Sequence, residues 1–325
     1  MNLPLSALDS ASHFNRNATL DARAPLWLDV DGSVRGIENA QRVDWRDLGS
    51  QLRYLSSRGA MERAKARLDA LDAADPGARH RLALLGSGDF HHLSALLVGR
   101  FSRPLSLIIF DQHPDWDITS PWACCGCWVP QVLKMPHVRR VVVIGVGSED
   151  LSGHHLWRGA TKWLKRGRLE IYPATFPTSR IPARASRNLA CGRIQNGRIT
   201  WKTVEQQGMT ALISAVLAEM PTGEVYISVD KDCLQCTGAV SNWGAGELEV
   251  ASVCAAIERI GGAKRIVGAD ITGEWSAGTP RNGLFRVISQ LDHWPVQPVP
   301  SPAALENNAK TNAALQNALV RASCN

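Results

Sequence analysis

Six short runs of this chain are apolar almost without interruption. The clearest is Arg140-Val-Val-Val-Ile-Gly-Val146; the others cover residues 81–86, 105–110, 169–172, 224–229 and 264–269. Each is far too short to cross a bilayer. A strand with one wet face would alternate apolar and polar residues, whereas continuous runs suit strands buried on both faces, as in a parallel sheet. Helical spacing fills the gaps, over residues 60–73, 92–100, 204–219 and 251–260, the last stopped by Gly261-Gly262. Strand and helix in alternation predict an α/β protein, a three-layer α/β/α sandwich around a mostly parallel, doubly wound sheet. The 325 residues suffice for one large domain. The expected division is an N-terminal extension (1–75) packed on the same domain, a main domain (76–295) and a C-terminal tail (296–325). No internal repeat is present.

The net charge of +6 and isoelectric point near 9.0 permit an anionic partner. The densest basic stretch, Arg158, Lys162, Lys165, Arg166 and Arg168, reads as a solvated helix face. No aromatic–basic module accompanies it, so nucleic acid is not an expected partner. Residues 1–12 lack the basic head and apolar core of a signal peptide, and a cytoplasmic protein is expected. The eight cysteines are then expected to be thiols rather than a disulfide frame.

Ligands of open parallel sheets bind beyond the carboxyl ends of the strands, and three strands here end in metal-type residues. The second run ends in Asp111-Gln-His113-Pro-Asp115-Trp-Asp117. While the chain stays extended, Asp111, His113 and Asp115 point to one side. The fifth ends in Ser228-Val-Asp230-Lys-Asp232, two carboxylates on one face that a cation would reconcile. The first ends in Gly86-Ser-Gly88-Asp89-Phe90-His91-His92, where one of the two histidines can face the same cleft. Two imidazoles and four carboxylates suit Mn²⁺ better than a structural zinc. Four carboxylates exceed what one catalytic zinc takes, but fit two cations with shared ligands.

In order and spacing these segments resemble the ureohydrolase (arginase/agmatinase) superfamily over roughly residues 80 to 290. Asp270-Ile-Thr-Gly-Glu274 and Ile144-Gly-Val-Gly-Ser-Glu149-Asp150 resemble two further strand ends of that family. The resemblance implies an arginase-like fold and two Mn²⁺ per chain. His91, Asp111, Asp115 and Asp230 would hold one, and Asp111, His113, Asp230 and Asp232 the other. It implies that Glu274 clamps the substrate guanidinium through paired charge-assisted hydrogen bonds, that Asp115 accepts a proton, and that urea leaves. Asp117, Glu149, Asp150 and Cys127 are expected on the substrate side, and His92, if not itself the ligand in place of His91, in a catalytic role.

The sequence departs from the family at Phe90, at Cys233-Leu-Gln-Cys236, and at the loop after Asp117, which lacks the proton-shuttling histidine of arginases. Gly-Asp-Phe-His-His and His-Pro-Asp resemble the peptide-arginase branch, which converts arginine in ribosomally made peptides to ornithine. The expected partner is therefore a guanidino small molecule or an arginine-containing peptide, with no membrane, and with a homo-oligomer as in other ureohydrolases. Rival readings are a one-zinc amide deacetylase of the same fold, a non-catalytic metal-binding protein, and a zinc site among Cys124, Cys125, Cys127, Cys233 and Cys236. Trp116, Trp128, Trp243 and Trp275 adjoin the site segments as candidate pocket walls.

Overall fold

The computed structural model describes residues 19–37, 39–118, 122–152, 159–181, 186–293 and 296–323. Residues 1–12 and Arg158, named above, lie outside the described residues. In chain order the strands are β1 (Asp21–Asp29), β2 (Gln41–Asp44), β3 (Leu55–Ser56), β4 (Arg81–Leu84), β5 (Leu105–Phe110), β6 (Ala123–Cys124) and β7 (Val138–Val146). They continue as β8 (Leu169–Pro173), β9 (Thr178–Arg180), β10 (Arg187–Leu189), β11 (Gly192–Gln195), β12 (Arg198–Trp201), β13 (Glu224–Asp230) and β14 (Arg265–Thr272). The α-helices are α1 (Arg46–Leu52), α2 (Arg58–Ala74), α3 (Leu93–Val98), α4 (Val129–Val132), α5 (Thr161–Lys165), α6 (Val204–Gln207), α7 (Met209–Ala218), α8 (Val250–Gly261), α9 (Gly283–Asp292) and α10 (Pro302–Ser323).

Eight strands form one sheet in the order β2-β1-β4-β14-β13-β5-β7-β8, every pair parallel. Every residue of β5 and β13 is buried, so both faces of the sheet are covered. This is the continuous apolar pattern of the six runs, each of which is a strand of this sheet, and the architecture is the predicted α/β fold around a parallel sheet. Because all strands run one way, the loops after β4, β5, β7 and β13 emerge at one edge.

The structure adds what the apolar pattern does not show. β1 and β2 join the sheet from within residues 1–75, and β1 contains Pro25 and is bounded by charged residues. A separate antiparallel sheet, β10-β11-β12-β9, follows β8. The helical pattern over 204–219 is split into α6 and α7 by Gly208, whose φ of 71° lies in the left-handed region that favours glycine. α10 packs on α8 and buries Leu315, Ala318, Leu319 and Ala322. No helix among the described residues is long and apolar enough to cross a membrane.

The α8–α10 contact is tight enough to test. A Cβ added at Gly261 would sit 2.2 Å from the Ala322 carbonyl oxygen. In an unpacked helix Gly→Ala gains about 1 kcal/mol; here the overlap with backbone reverses the sign. Gly261→Ala should lower stability by about 1–3 kcal/mol, read as a lower midpoint in urea or thermal unfolding.

Candidate metal centre

Register brings the strand ends level. Val229 of β13 pairs with Phe110 of β5, so Asp230 and Asp111, the next residues, are neighbours. β5 ends at Phe110, and the chain beyond is not extended: Asp115 has φ 44°, left-handed without being glycine. Asp115 therefore joins its companions through a strained turn and not through strand alternation. Such a conformation costs on the order of 1–3 kcal/mol and persists only where its surroundings fix it. Here they do: the Asp115 carbonyl accepts from Val129 N (3.1 Å) and its Oδ2 from Trp128 Nε1 (2.6 Å). Asp230 closes its own turn by accepting from Asp232 N (3.1 Å). Behind β4, Gly88 leaves room that a side chain would take, since a Cβ there would lie 3.0 Å from Asp230 Oδ2.

The six predicted ligands come together. His91 Nδ1 lies 3.1 Å from Asp111 Oδ2, 3.0 Å from Asp115 Oδ2 and 3.5 Å from Asp230 Oδ2. His113 Nδ1 lies 2.9 Å from Asp232 Oδ2 and 3.7 Å from Asp111 Oδ1. Two groups, His91/Asp111/Asp230 and Asp111/His113/Asp232, each offer donor atoms within 4.8 Å of one another, and Asp111 belongs to both.

The chemistry of these donors fits cations. His91 Nδ1 and Asp111 Oδ2 are buried and make no hydrogen bond. The other ring nitrogen of His91, Nε2, meets Ser228 Oγ at 2.9 Å, and Ser228 donates to Asp270 Oδ1 at 2.7 Å. A hydroxyl that has given its proton to Asp270 accepts from Nε2–H, so Nδ1 is the nitrogen that faces the carboxylates; burial opposes a charge on this ring, but Asp111 and Asp115 outweigh it and raise its pKa, and a metal there would take the place of the Nδ1 proton. That is the tautomer and backing of a metal-bound histidine. Burial and the neighbouring Asp111 carboxylate push Asp115 up to about 8. Burial, Asp232 and Asp111 push Asp230 well above the usual carboxylate range. A bound cation removes this conflict.

Several sequence expectations need correction. Glu274 does not reach the pocket: its carboxylate accepts from Lys231 Nζ (2.5 Å), Asn312 Nδ2 (2.6 Å) and Asn308 Nδ2 (2.9 Å), all buried. The reason is Lys231, a cation between the cluster residues Asp230 and Asp232, which folds inward and needs a buried counter-charge. His92 is also turned away. Its Nε2 pairs with Ser56 Oγ at 2.8 Å, and burial with the adjacent His91 lowers its pKa to about 3. Of the two histidines, His91 is the one at the cluster.

The cluster forms the floor of a cavity of about 450 Å³. Asp117, Glu149 and Asp150 line it, as do Trp116 and Trp243; Cys127, Trp128 and Trp275 do not. Cys127 is paired with Cys124 in the same loop. Among the described residues no candidate metal group contains a cysteine.

Part of the wall carries no sequence signal. Tyr54, Asp292 and His293 come from distant segments without a motif, and only their packing reveals them. Trp243 lies between Tyr54 (centroids 6.1 Å) and His293 (4.0 Å). Buried Asp89 fastens this wall, accepting from Trp243 Nε1 (3.2 Å), His293 Nε2 (3.1 Å) and Arg53 Nη1 (2.6 Å). Burial opposes the Asp89 charge, but these partners outweigh it and hold its pKa at about 2.

Comparison with known proteins agrees with this architecture. The Arginase family model matches residues 180–273. An uncharacterized protein of Thermotoga maritima is 24% identical over 231 residues, covering 69% of this chain and 73% of its own. Arginase from Bacillus subtilis superposes with a TM-score of 0.52 at 16% identity, over 87% of this chain and 83% of that one. A hypothetical agmatinase from Burkholderia thailandensis gives 0.51 at 16% identity, over 95% and 89%. These solved structures speak to the fold. The family match covers less than a third of the chain, and the solved structures show that the fold is that of arginases and agmatinases.

Proposed function

We propose that this chain is a binuclear Mn²⁺-dependent hydrolase that cleaves a guanidino group with water, releasing urea and an amine. Arginine, free or within a ribosomal peptide, would yield ornithine. The observation that carries this reading is the pair of donor groups sharing Asp111 on the floor of an acid-lined cavity. The surroundings of the donors, rich in oxygen with two imidazoles, favour Mn²⁺. When bound, such cations supply Lewis-acid charge and lower the pKa of water. Asp115 and Asp232 would be surplus in a one-zinc deacetylase, yet both stand in the cluster, which favours the binuclear reading.

The remaining work falls to side chains. Asp115, whose carboxylate accepts from Trp128 Nε1, would take the proton released as water adds to the guanidinium carbon. Asp117, Glu149 and Asp150 give the cavity a negative lining that draws a cationic group in. Glu274 being held by Lys231, the proposal assigns recognition of the substrate cation to these acids.

Two outcomes test the proposal. With Mn²⁺ loaded, the protein should release urea from at least one of free arginine, agmatine or an arginine peptide. Asp230→Asn should reduce that rate by about 100-fold or more, because it removes a ligand charge from the centre of the cluster. Retained turnover in that variant, or no urea from any of the three, contradicts the proposal. Glu274→Gln should leave the KM for the guanidino substrate nearly unchanged while lowering stability by about 3–5 kcal/mol, because Lys231 loses its buried counter-charge. A large rise in KM without loss of stability would return Glu274 to the substrate.

A further inference from the structure

The described residues leave seven large apolar side chains exposed, and all belong to segments that also line the cavity. Leu284, Val287 and Leu291 lie on α9, which supplies Ile288 and Asp292 to the wall. Val296 and Val299 flank the lining residue Gln297. Ile118 and Trp122 belong with Asp117, Trp122 lining the cavity itself. Leu291 is 73% exposed and Val299 78%. Scattered apolar residues on a surface need no explanation, but a patch gathered at one cavity marks an interaction site.

α9 carries two stripes at helical spacing. Phe285, Ile288 and Asp292 form one, fixed to the molecule by the Phe285–Trp122 ring contact (5.4 Å) and by Tyr54 Oη donating to Asp292 (2.7 Å). Leu284, Val287 and Leu291, at i, i+3 and i+7, form the neighbouring stripe one residue round the helix, and it faces solvent. One helix therefore offers the cavity one face and an apolar strip beside the mouth.

We infer that this strip docks the apolar residues flanking an arginine in a polypeptide substrate whose side chain enters the cavity. The inference rests on the proposed hydrolysis of a guanidino group. Charge complementarity selects the occupant: Asp117, Glu149, Asp150 and Asp292 at the cavity call for a cation, and the strip calls for apolar neighbours on the same molecule. Leu284, Val287 and Leu291 are not among the cavity-lining residues, so a free guanidino compound held in the cavity has no call on them, and a second copy of this chain is the occupant that the test must separate from a polypeptide.

The test uses two short labelled peptides, one with a single arginine between paired leucines and one with serines in place of those leucines. Binding is followed by fluorescence anisotropy on the full chain, and light scattering gives the mass of the free protein. The leucine peptide should bind at least about tenfold more tightly than the serine peptide. Leu284→Ser/Leu291→Ser should erase that preference, whereas Gln290→Ser on the same helix should keep it. In turnover, the double variant should lose kcat/KM for the leucine peptide relative to agmatine by a similar factor. Equal binding of the two peptides, no binding of either, or a preference that survives in the double variant overturns the inference. So does a wild-type dimer that the double variant splits into monomers, which would give the strip to a second copy. The anisotropy result does not depend on turnover, so absence of urea would defeat the proposed hydrolysis while leaving the docking measurement readable.

Discussion

His91, Asp111, His113, Asp115, Asp230 and Asp232 stand side by side, five of them buried and His113 half-buried, so that their charges act on one another at close range. Parallel strands bring this about. The ladder hydrogen bonds of β5 and β13 fix Asp111 and Asp230 side by side, whatever their mutual repulsion. Left alone, the cluster must retain protons on carboxylates that would otherwise ionise, as the raised pKa values of Asp115 and Asp230 show. Divalent charge between them removes that penalty, so the same crowding that opposes folding of the bare site favours binding of cations.

Behind the cluster, polar groups are closed into partnerships. Tyr226 and Ser228 hold Asp270 and so orient His91. Trp128 fixes Asp115 in its left-handed turn. Lys231, Glu274, Asn308 and Asn312 join the loop between Asp230 and Asp232 to the end of β14 and to α10. Asp89 ties Arg53, Trp243 and His293 into the cavity wall. Against this background, the buried atoms of His91 and Asp111 that lack a hydrogen bond are those turned inward. Supporting polar groups paired outward and donors left open inward are the arrangement of a preorganised metal site.

Much of this was legible in the sequence. Strands buried on both faces are written as unbroken apolar runs, and all six became strands of the main sheet. The residues at the ends of three of them carried the cluster, because residues at adjacent strand ends must meet. β1 and the small antiparallel sheet escaped notice because proline, charge and short length hide their pattern. Asp115 was found for an incomplete reason: spacing suggested extended alternation, whereas tertiary contacts impose a turn. Glu274 followed a strand-end motif, but Lys231 draws it into the interior, and no local pattern distinguishes a carboxylate that faces a cavity from one that neutralises a buried lysine. Tyr54, Asp292 and His293 reach the cavity by tertiary packing alone.

The claim on which all else rests is that the cluster exists to hold two cations. Titration of the metal-free protein with Mn²⁺, followed by calorimetry and by elemental analysis of the dialysed complex, measures this directly. The account predicts two Mn²⁺ per chain, falling below two when Asp111, the residue common to both donor groups, is changed to Asn. A protein that binds none, that takes a single Zn²⁺ in preference, or that keeps both Mn²⁺ in Asp111→Asn contradicts it.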